Sequence, residues 1–324
     1  MNERLQKICK DFIVSREAAA KAFFFEYSYI YPAVANIFAS HGRSAAPEEL
    51  KQSRKIVEEN TGLFSNFRGN IRPVLAATLA LSPDPQSQMQ LSKDYYQILK
   101  QQFLASEYLA LAAFVLPEFV NITQLNEKAE RGKTLYKRMK QEHPFLTGTE
   151  DSVFAVLLAL SNKSDDALIA DMEGCYQALK ARFPIGEALQ TTSHVLAMAN
   201  GTPEEKVERL IGLFNALRDA GVKYGKSYEL ATLAALSLAD APIETLVQEI
   251  GEVDAFLKTQ KGYGLLSTSA QQRAMQAAMI VSDQYAPRDQ AYNAAMTSVV
   301  AMIIATEMAI FAAIATNAAV IASS

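Results

Sequence analysis

The sequence is poor in the residues that build disulfides and many metal sites. It contains only two cysteines among 324 residues, Cys9 and Cys175. Neither lies in a Cys-x-x-Cys or Cys/His spacing, so no disulfide framework and no zinc site is expected. We predict that both are reduced thiols in a cytoplasmic protein.

The sequence also lacks an excess of basic charge. Its 31 lysine and arginine residues stand against 35 acidic residues, which gives a net charge of -4. A nucleic-acid-binding protein normally shows a basic footprint, so no nucleic-acid partner is expected. The N-terminal residues carry charges of both signs and lead into no apolar run with a cleavage site, and we therefore expect no secretory signal peptide.

No recognisable catalytic constellation is present. The three histidines are His41, His143 and His194, and none lies in the spacing of a zinc protease or an EF-hand loop. His194 follows residues 191–193, Thr-Thr-Ser, but adjacent residues on a helix do not face each other. We predict a hydrogen-bonded core histidine at position 194, with no catalytic residue, no metal and no cofactor.

Alternating strand patterns are absent too, and a long period takes their place. Tyr96, Tyr136 and Tyr176 lie about forty residues apart. The same step separates the pairs Leu99-Lys100, Met139-Lys140, Leu179-Lys180, Leu217-Arg218 and Leu257-Lys258. A fixed period of this length is typical of stacked helical hairpins. The predicted fold class is all-α, an α-solenoid of helical-hairpin repeats.

Turn and helix-start residues divide the chain into predicted segments. Residues 1–62 are predicted to form an N-terminal helical cap with a divergent first repeat, because terminal repeats are often atypical. Residues 63–288 are predicted to form the hairpin repeats, and residues 289–324 a hydrophobic C-terminal helix. Within the repeats, the first helix of each hairpin is followed by a breaker, at residues 82–85, 161–166, 200–205 and 240–244.

A second regularity lies near the start of each predicted first helix, where one polar residue precedes an apolar block. These six residues, called the polar ladder below, are Arg72, Glu107, Asp151, Gln190, Glu229 and Arg273. Equivalent positions of stacked repeats lie side by side, so the six side chains should follow one face. One interpretation is an inter-repeat network that fixes the register, which the need to pair buried polar groups favours. The other is a concave groove for a ligand or partner.

The loop before the first complete repeat is rich in arginine and asparagine. Asn66, Arg68, Asn70 and Arg72 precede an apolar helix whose free N–H groups point back toward them. Guanidinium groups and a helix N-terminus both favour anions, so this loop is a candidate phosphate or carboxylate site. The alternative is a loop fixed by an ion pair from Arg68 to a nearby glutamate. The loop lacks the glycine and lysine spacing of a P-loop.

The C-terminal tail has a single charged residue, Glu307, between residues 294 and 322. A segment of this length could span a bilayer, although its threonines and Glu307 make insertion marginal. Alanines recur every fourth residue from Ala301 to Ala313 and suit close helix packing. We expect the tail to be buried against the repeats. Pairing with a second copy and insertion into a membrane stay open as alternatives.

Several sequence blocks resemble an uncharacterised bacterial family, the domain of unknown function 4003. The blocks are FSNFRGN (64–70), HPFLT (143–147) with Asp151, LQTTSH (189–194) and YELATL (228–233). The resemblance covers almost the whole chain, including the alanine-rich tail. It implies a bacterial origin and brings no activity, substrate or cofactor.

The sequence thus favours a non-enzymatic binding or scaffolding protein with a protein or peptide partner. One alternative is a membrane-associated protein anchored through residues 294–322. Another is an enzyme whose site is assembled across repeats and has no local signature.

Overall fold

The computed structural model describes residues 1–264 and 267–285. Within these residues every regular element is helical and no strand occurs, which confirms the all-α class. The fourteen α-helices of this part are α1 (Glu3–Ala22), α2 (Tyr31–Ser40), α3 (Pro47–Glu59), α4 (Arg72–Leu81), α5 (Pro85–Leu99), α6 (Glu107–Val115), α7 (Ile122–Glu142), α8 (Asp151–Leu158), α9 (Asp165–Leu179), α10 (Glu187–Ala197), α11 (Pro203–Asp219), α12 (Glu229–Ser237), α13 (Ile243–Lys258) and α14 (Ala270–Tyr285). The predicted first helices of the hairpins are the even-numbered ones.

Local capping explains where the odd-numbered helices begin. The side chains of Asp84, Ser164 and Thr202 accept hydrogen bonds from backbone N–H groups in the first turns of α5, α9 and α11. Thr202 forms a reciprocal capping box with Glu205. Three of the predicted breakers are therefore helix N-caps, which depend only on residues within one turn.

The chain forms two compact units, which are described separately. In the 10–130 unit, α4 packs between α2 and α6, and α3 packs against α5. The 131–285 unit also includes residues 1–9. There α10 packs beside α8 and α12, α12 beside α14, and α11 between α9 and α13. Even-numbered helices are thus neighbours of even-numbered helices within each unit, and odd-numbered helices of odd-numbered ones.

The three periodic tyrosines lie at corresponding places on odd-numbered helices. Tyr96 on α5 accepts a hydrogen bond from Asn66 Nδ2 at 2.7 Å. Tyr136 on α7 donates one to the carbonyl of Gly148 at 3.0 Å, and Tyr176 on α9 packs its ring on His143, with 4.2 Å between centroids. Each tyrosine therefore contacts a loop that leads from an odd-numbered helix to the next even-numbered one.

Cationic side chains satisfy carbonyl groups at the ends of even-numbered helices. Arg131 on α7 donates to the carbonyls of Ala159, Ser161 and Lys163, just after α8. Arg209 on α11 repeats this arrangement after α12, at the carbonyls of Ser237, Ala239 and Ala241. The last carbonyls of a helix have no partner within it and carry partial negative charge. Each guanidinium therefore ties an odd-numbered helix to the end of an even-numbered one.

A lysine satisfies the carbonyl groups at the end of α10, the even-numbered helix between α8 and α12. Lys163 donates to the carbonyls of Ala197 and Ala199, at 3.2 and 2.7 Å, just after α10. Asp171 on α9 holds this lysine at 2.9 Å and also pairs with the buried Lys206 at 2.5 Å. At the end of α10, Asp171 with its two lysines thus takes the place that a single arginine has at the ends of α8 and α12.

Both cysteines are free and buried. Burial raises the pKa of each thiol, Cys9 and Cys175, to about 12. A thiol with so high a pKa is almost wholly protonated near neutral pH and is a poor nucleophile. The structure therefore gives neither cysteine the setting of a reactive thiol.

Other predictions fall on residues that the structure does not describe. In the described part of the chain, no helix combines the length and the apolar character needed to cross a bilayer. The tail at 289–324, with Glu307 and its alanine face, lies outside the described residues. The boundaries at residues 62 and 288 stay predictions, as does an α-solenoid beyond the all-α class.

Replacement of Arg131 tests the carbonyl contacts. We expect Arg131→Met to lower the free energy of unfolding by about 2–4 kcal/mol, because part-buried carbonyls and Asp165 lose their partner. Arg138→Met, on the same helix, removes only the pair with the exposed Asp166 and should cost about 0–1 kcal/mol. Denaturant unfolding followed by circular dichroism measures both. Equal losses would contradict the assigned role of Arg131.

Candidate functional site

The polar ladder lies at the N-terminal ends of even-numbered helices. Four of its members are the first residues of their helices, namely Arg72, Glu107, Asp151 and Glu229. The other two, Gln190 and Arg273, lie one turn further into α10 and α14. Among the described residues, no direct hydrogen bond or ion pair joins two members. Their side chains instead contact other elements or the loop directly before their own helix.

The most buried polar cluster joins Asp151 on α8 to His194 on α10. Asp151 Oδ1 lies 3.2 Å from His194 Nδ1, and the two side chains are 3% and 2% exposed. The atoms are near enough for an ion pair, but their alignment does not make a hydrogen bond, and Nδ1 has no other partner in the described chain. Asp151 Oδ2 accepts from the N–H of Gly148 at 2.9 Å. The cluster therefore links two even-numbered helices and one loop.

Gln190 and Thr147 extend this cluster. Gln190 Nε2 donates to Thr147 Oγ1 at 2.9 Å, and that hydroxyl donates to the carbonyl of Met139 at 3.2 Å. Both side chains are buried, and Gln190 Oε1 has no partner in the described chain. The cluster contains no nucleophile aligned with a base, and the described residues hold no group of three or more potential metal ligands. Its contacts fix the register of α8 and α10.

Glu150 lies beside this cluster and is only partly buried. Burial, together with the negative charges of Asp151 and Glu187, raises the pKa of its carboxyl to about 7. Near neutral pH this side chain is therefore a mixture of the acid and the carboxylate. The position can therefore exchange a proton near neutral pH.

Glycine allows two ladder glutamates to lie directly on the backbone. A Cβ at Gly69 would collide with the Glu107 carboxylate, and one at Gly225 would collide with that of Glu229. Glu107 Oε2 accepts from the N–H of Ile71 at 3.3 Å, and burial raises the pKa of this carboxyl. Both carboxylates are thus packed on the loop that precedes an even-numbered helix.

The arginines of the candidate anion loop are engaged within the protein. Arg68 donates to the carbonyls of Glu58 and Thr61 at the end of α3. Arg72 pairs with the carboxylates of Glu26 and Glu58. Glu58 thus meets Arg68 through its carbonyl and Arg72 through its carboxylate. This geometry favours the fixed-loop interpretation over an anion site.

Three predicted residues remain outside these clusters. Asn66 holds Tyr96, as described above, and Asn70 is partly buried in the same loop, where its N–H faces Glu107. Arg273 on α14 makes two contacts with Asp254, at 2.8 and 3.2 Å. The predicted site residues therefore form several separate contacts: Asp151, Gln190 and His194 share the buried cluster, Arg68 and Arg72 share Glu58, and Asn70 meets Glu107.

A different feature was not predicted from the sequence. Large apolar side chains are exposed in successive loops that lead from an odd-numbered to an even-numbered helix. These apolar loop residues are Phe24, Phe25, Leu63, Phe64 and Leu104 in the 10–130 unit, and Phe145 and Ile185 in the 131–285 unit. Phe25, Phe64 and Phe145 are each at least 96% exposed. The signal in the sequence is again a spacing of about forty residues.

A buried aromatic neighbour holds several of these loops in place. Phe23 and Phe103 are buried, whereas the residues directly after them, Phe24 and Leu104, are exposed. Phe183 is likewise buried two residues before the exposed Ile185. The loops therefore place one bulky side chain in the core and present another to solvent.

Exposed lysines accompany the same loops. They stand in the last turn of an odd-numbered helix or directly after it, at Lys21, Lys100, Lys140 and Lys180. A cation at this place is stabilised by the negative end of the helix dipole. Four of the five loops thus combine an apolar side chain with a nearby lysine, whereas α3, which precedes Leu63 and Phe64, ends in Glu58 and Glu59.

Comparison with known proteins gives the family. The model of a protein family of unknown function, DUF4003, matches residues 17–309, and the chain belongs to this family. The predicted resemblance is therefore confirmed. The uncharacterised protein YeaA of Bacillus subtilis (strain 168) is 30% identical over 215 residues, which cover 63% of this chain and 64% of YeaA. The chain thus matches less than two thirds of that relative's length. No solved structure matches.

Removal of the Asp151 carboxylate tests the buried cluster. We expect Asp151→Ala to lower the free energy of unfolding by about 1–3 kcal/mol, because the N–H of Gly148 loses its acceptor and His194 its nearest acid. Asp166→Ala is the matched control, since Asp166 is 92% exposed and pairs only with Arg138 in the described chain, and should cost about 0–1 kcal/mol. Unchanged stability of the Asp151 variant would count against a structural role.

The raised pKa of Glu150 gives a pH-dependent prediction. The folded state binds the proton more tightly than the unfolded state, so this group's contribution to stability falls as pH rises from about 4.5 to about 7. We expect Glu150→Gln to raise the free energy of unfolding by about 1–3 kcal/mol near pH 8 and by less near pH 5. Glu142→Gln, at an exposed carboxylate in the last turn of α7, is the control. Identical profiles for both variants would refute the assignment.

Proposed function

We propose that this protein is a non-enzymatic helical-repeat binding protein, an α-solenoid whose partner contacts the apolar loop residues. The alternation of even-numbered and odd-numbered neighbours within each unit supports the solenoid. The recurring cation-to-carbonyl contacts of Arg131 and Arg209 support it as well, because repeats reuse the same interface.

The observation that carries the proposal is the repeated exposure of bulky apolar side chains. A single exposed leucine or phenylalanine is ordinary on a protein surface. Here such residues recur at the same place in five loops, with Phe25, Phe64 and Phe145 almost wholly in solvent. Burial of one such side chain in a complex would contribute about 1.5–3 kcal/mol. Exposed apolar side chains that recur at one place in successive loops of each unit favour a role in binding a partner.

The polar clusters support a non-enzymatic role. Arg68 and Arg72 are held by groups of the protein, and the Asp151–His194 cluster is closed to solvent. The expected cytoplasmic location, the absence of a nucleic-acid partner and self-association through the tail stay predictions.

A site-specific photo-crosslinker tests the binding surface. We expect benzoylphenylalanine in place of Phe145, in the native bacterial host, to give a covalent adduct after irradiation. The control is the same group in place of Asp166, which is equally exposed but lies just after an even-to-odd loop, at the other end of the helices. An adduct with a protein or a lipid from Phe145 alone supports the proposal. No adduct, or equal labelling from both positions, overturns it.

A further inference from the structure

Resting on the proposed function, we propose that the apolar loop residues of each unit dock on an anionic lipid surface. Their side chains enter the apolar part of the interface, and the lysines near them meet the phosphate groups. The occupant of each unit's loops is therefore a membrane face of negative charge.

The first argument is the shape of the apolar loop residues. Phe64 and Phe145 stand 102% and 96% exposed, so the chain builds no pocket around either ring. A protein interface concentrates its binding energy in well-packed, desolvated pockets with matching shapes. A lipid interface needs no matching shape, because the acyl chains close around whatever side chain enters. Isolated protruding rings therefore fit a lipid surface better than a shaped partner.

The second argument is the aromatic character of the loop between α1 and α2. Phe24, Phe25, Tyr27 and Tyr29 are all among the exposed large side chains, within six residues of one another. Rings with an apolar body, and tyrosines with one polar end, are favoured at the boundary between headgroups and acyl chains. This loop alone presents enough aromatic surface to enter that boundary.

The third argument is charge. Lys100, Lys140 and Lys180 are exposed and lie four or five residues before Leu104, Phe145 and Ile185. Cations beside inserted apolar residues are attracted to anionic headgroups. Positive charge at these loops is not expected from the overall balance, since the net charge is -4. The lysines therefore complement an anionic surface in particular.

Acidic groups near these loops are largely neutralised. Glu26 is paired with Arg72, and Glu173 lies 2.6 Å from His143. Burial and neighbouring acids raise the pKa of Glu150, which lowers its average charge near neutral pH. Glu142 remains exposed beside Lys140. Glu187 is exposed as well, two residues after Ile185, whereas Glu59 is paired with Lys55. The four exposed lysines at these loops therefore outnumber Glu142 and Glu187.

A single tryptophan reports whether the loops enter lipid, because the natural chain contains none. We expect the full-length Phe145→Trp variant to show blue-shifted fluorescence with vesicles of phosphatidylcholine and phosphatidylglycerol. Brominated acyl chains should then quench it. The full-length Asp166→Trp variant, with its probe at the other end of the helices, should bind the same vesicles without quenching. Equal quenching of both variants, or none of Phe145→Trp, overturns the proposal.

Sedimentation with the same vesicles measures the energetic contribution. We expect Phe64→Ser with Phe145→Ser to weaken binding about tenfold or more, since each removes the burial of one phenylalanine. Lys140→Gln with Lys180→Gln should weaken it further in low salt than in high salt. Lys51→Gln, at an exposed lysine near the start of α3 and therefore at the other end of the helices, is the control. All variants keep the C-terminal tail, so the differences report the loops. Unchanged binding overturns the proposal.

The two proposals fail in different ways. A protein adduct from the photo-crosslinker at Phe145, with no lipid quenching of Phe145→Trp, would overturn the lipid surface and keep the binding surface. The absence of both signals would overturn both proposals. Vesicles of phosphatidylcholine alone separate anionic recognition from general apolar adsorption. Equal affinity for both vesicle types would overturn the anionic surface.

Discussion

The packing of the 131–285 unit depends on the carbonyl groups that an α-helix leaves without partners at its C-terminal end. Short even-numbered helices end in loops packed against their neighbours, where such groups are costly to leave unpaired. Arg131 and Arg209 each satisfy three of them, and Lys163 satisfies two with the help of Asp171. These cations come from other elements, so the same contacts join one helix pair to the next.

At their N-terminal ends, the even-numbered helices leave backbone N–H groups without partners. Carboxylates accept from such groups, as Asp151 does from Gly148 and Glu107 from Ile71. Acidic side chains are therefore found where even-numbered helices begin, and cationic side chains where they end. The partly protonated Glu150 is a consequence, because several acids gather where α8 and α10 begin.

The same end of the helices presents the apolar loop residues. Phe103 and Phe183 are buried and fix their loops, which leaves Leu104 and Ile185 in solvent. A protein that needed only stability would gain nothing from these exposed side chains, whose burial would be favourable in a complex. Structural contacts and exposed apolar residues thus share one end of the helices without sharing side chains.

The sequence alone determined the features that depend on neighbours within one turn. The helical class, the caps at Asp84, Ser164 and Thr202, and the placing of the polar ladder at helix starts follow from local patterns. Tertiary structure decided which distant groups meet. The acid beside His194 comes from Asp151 on another helix, and Phe103 is buried while Leu104 is exposed. Loop residues lack the 3.6-residue period that marks the buried face of a helix, so which of them are buried is decided only when the helices pack.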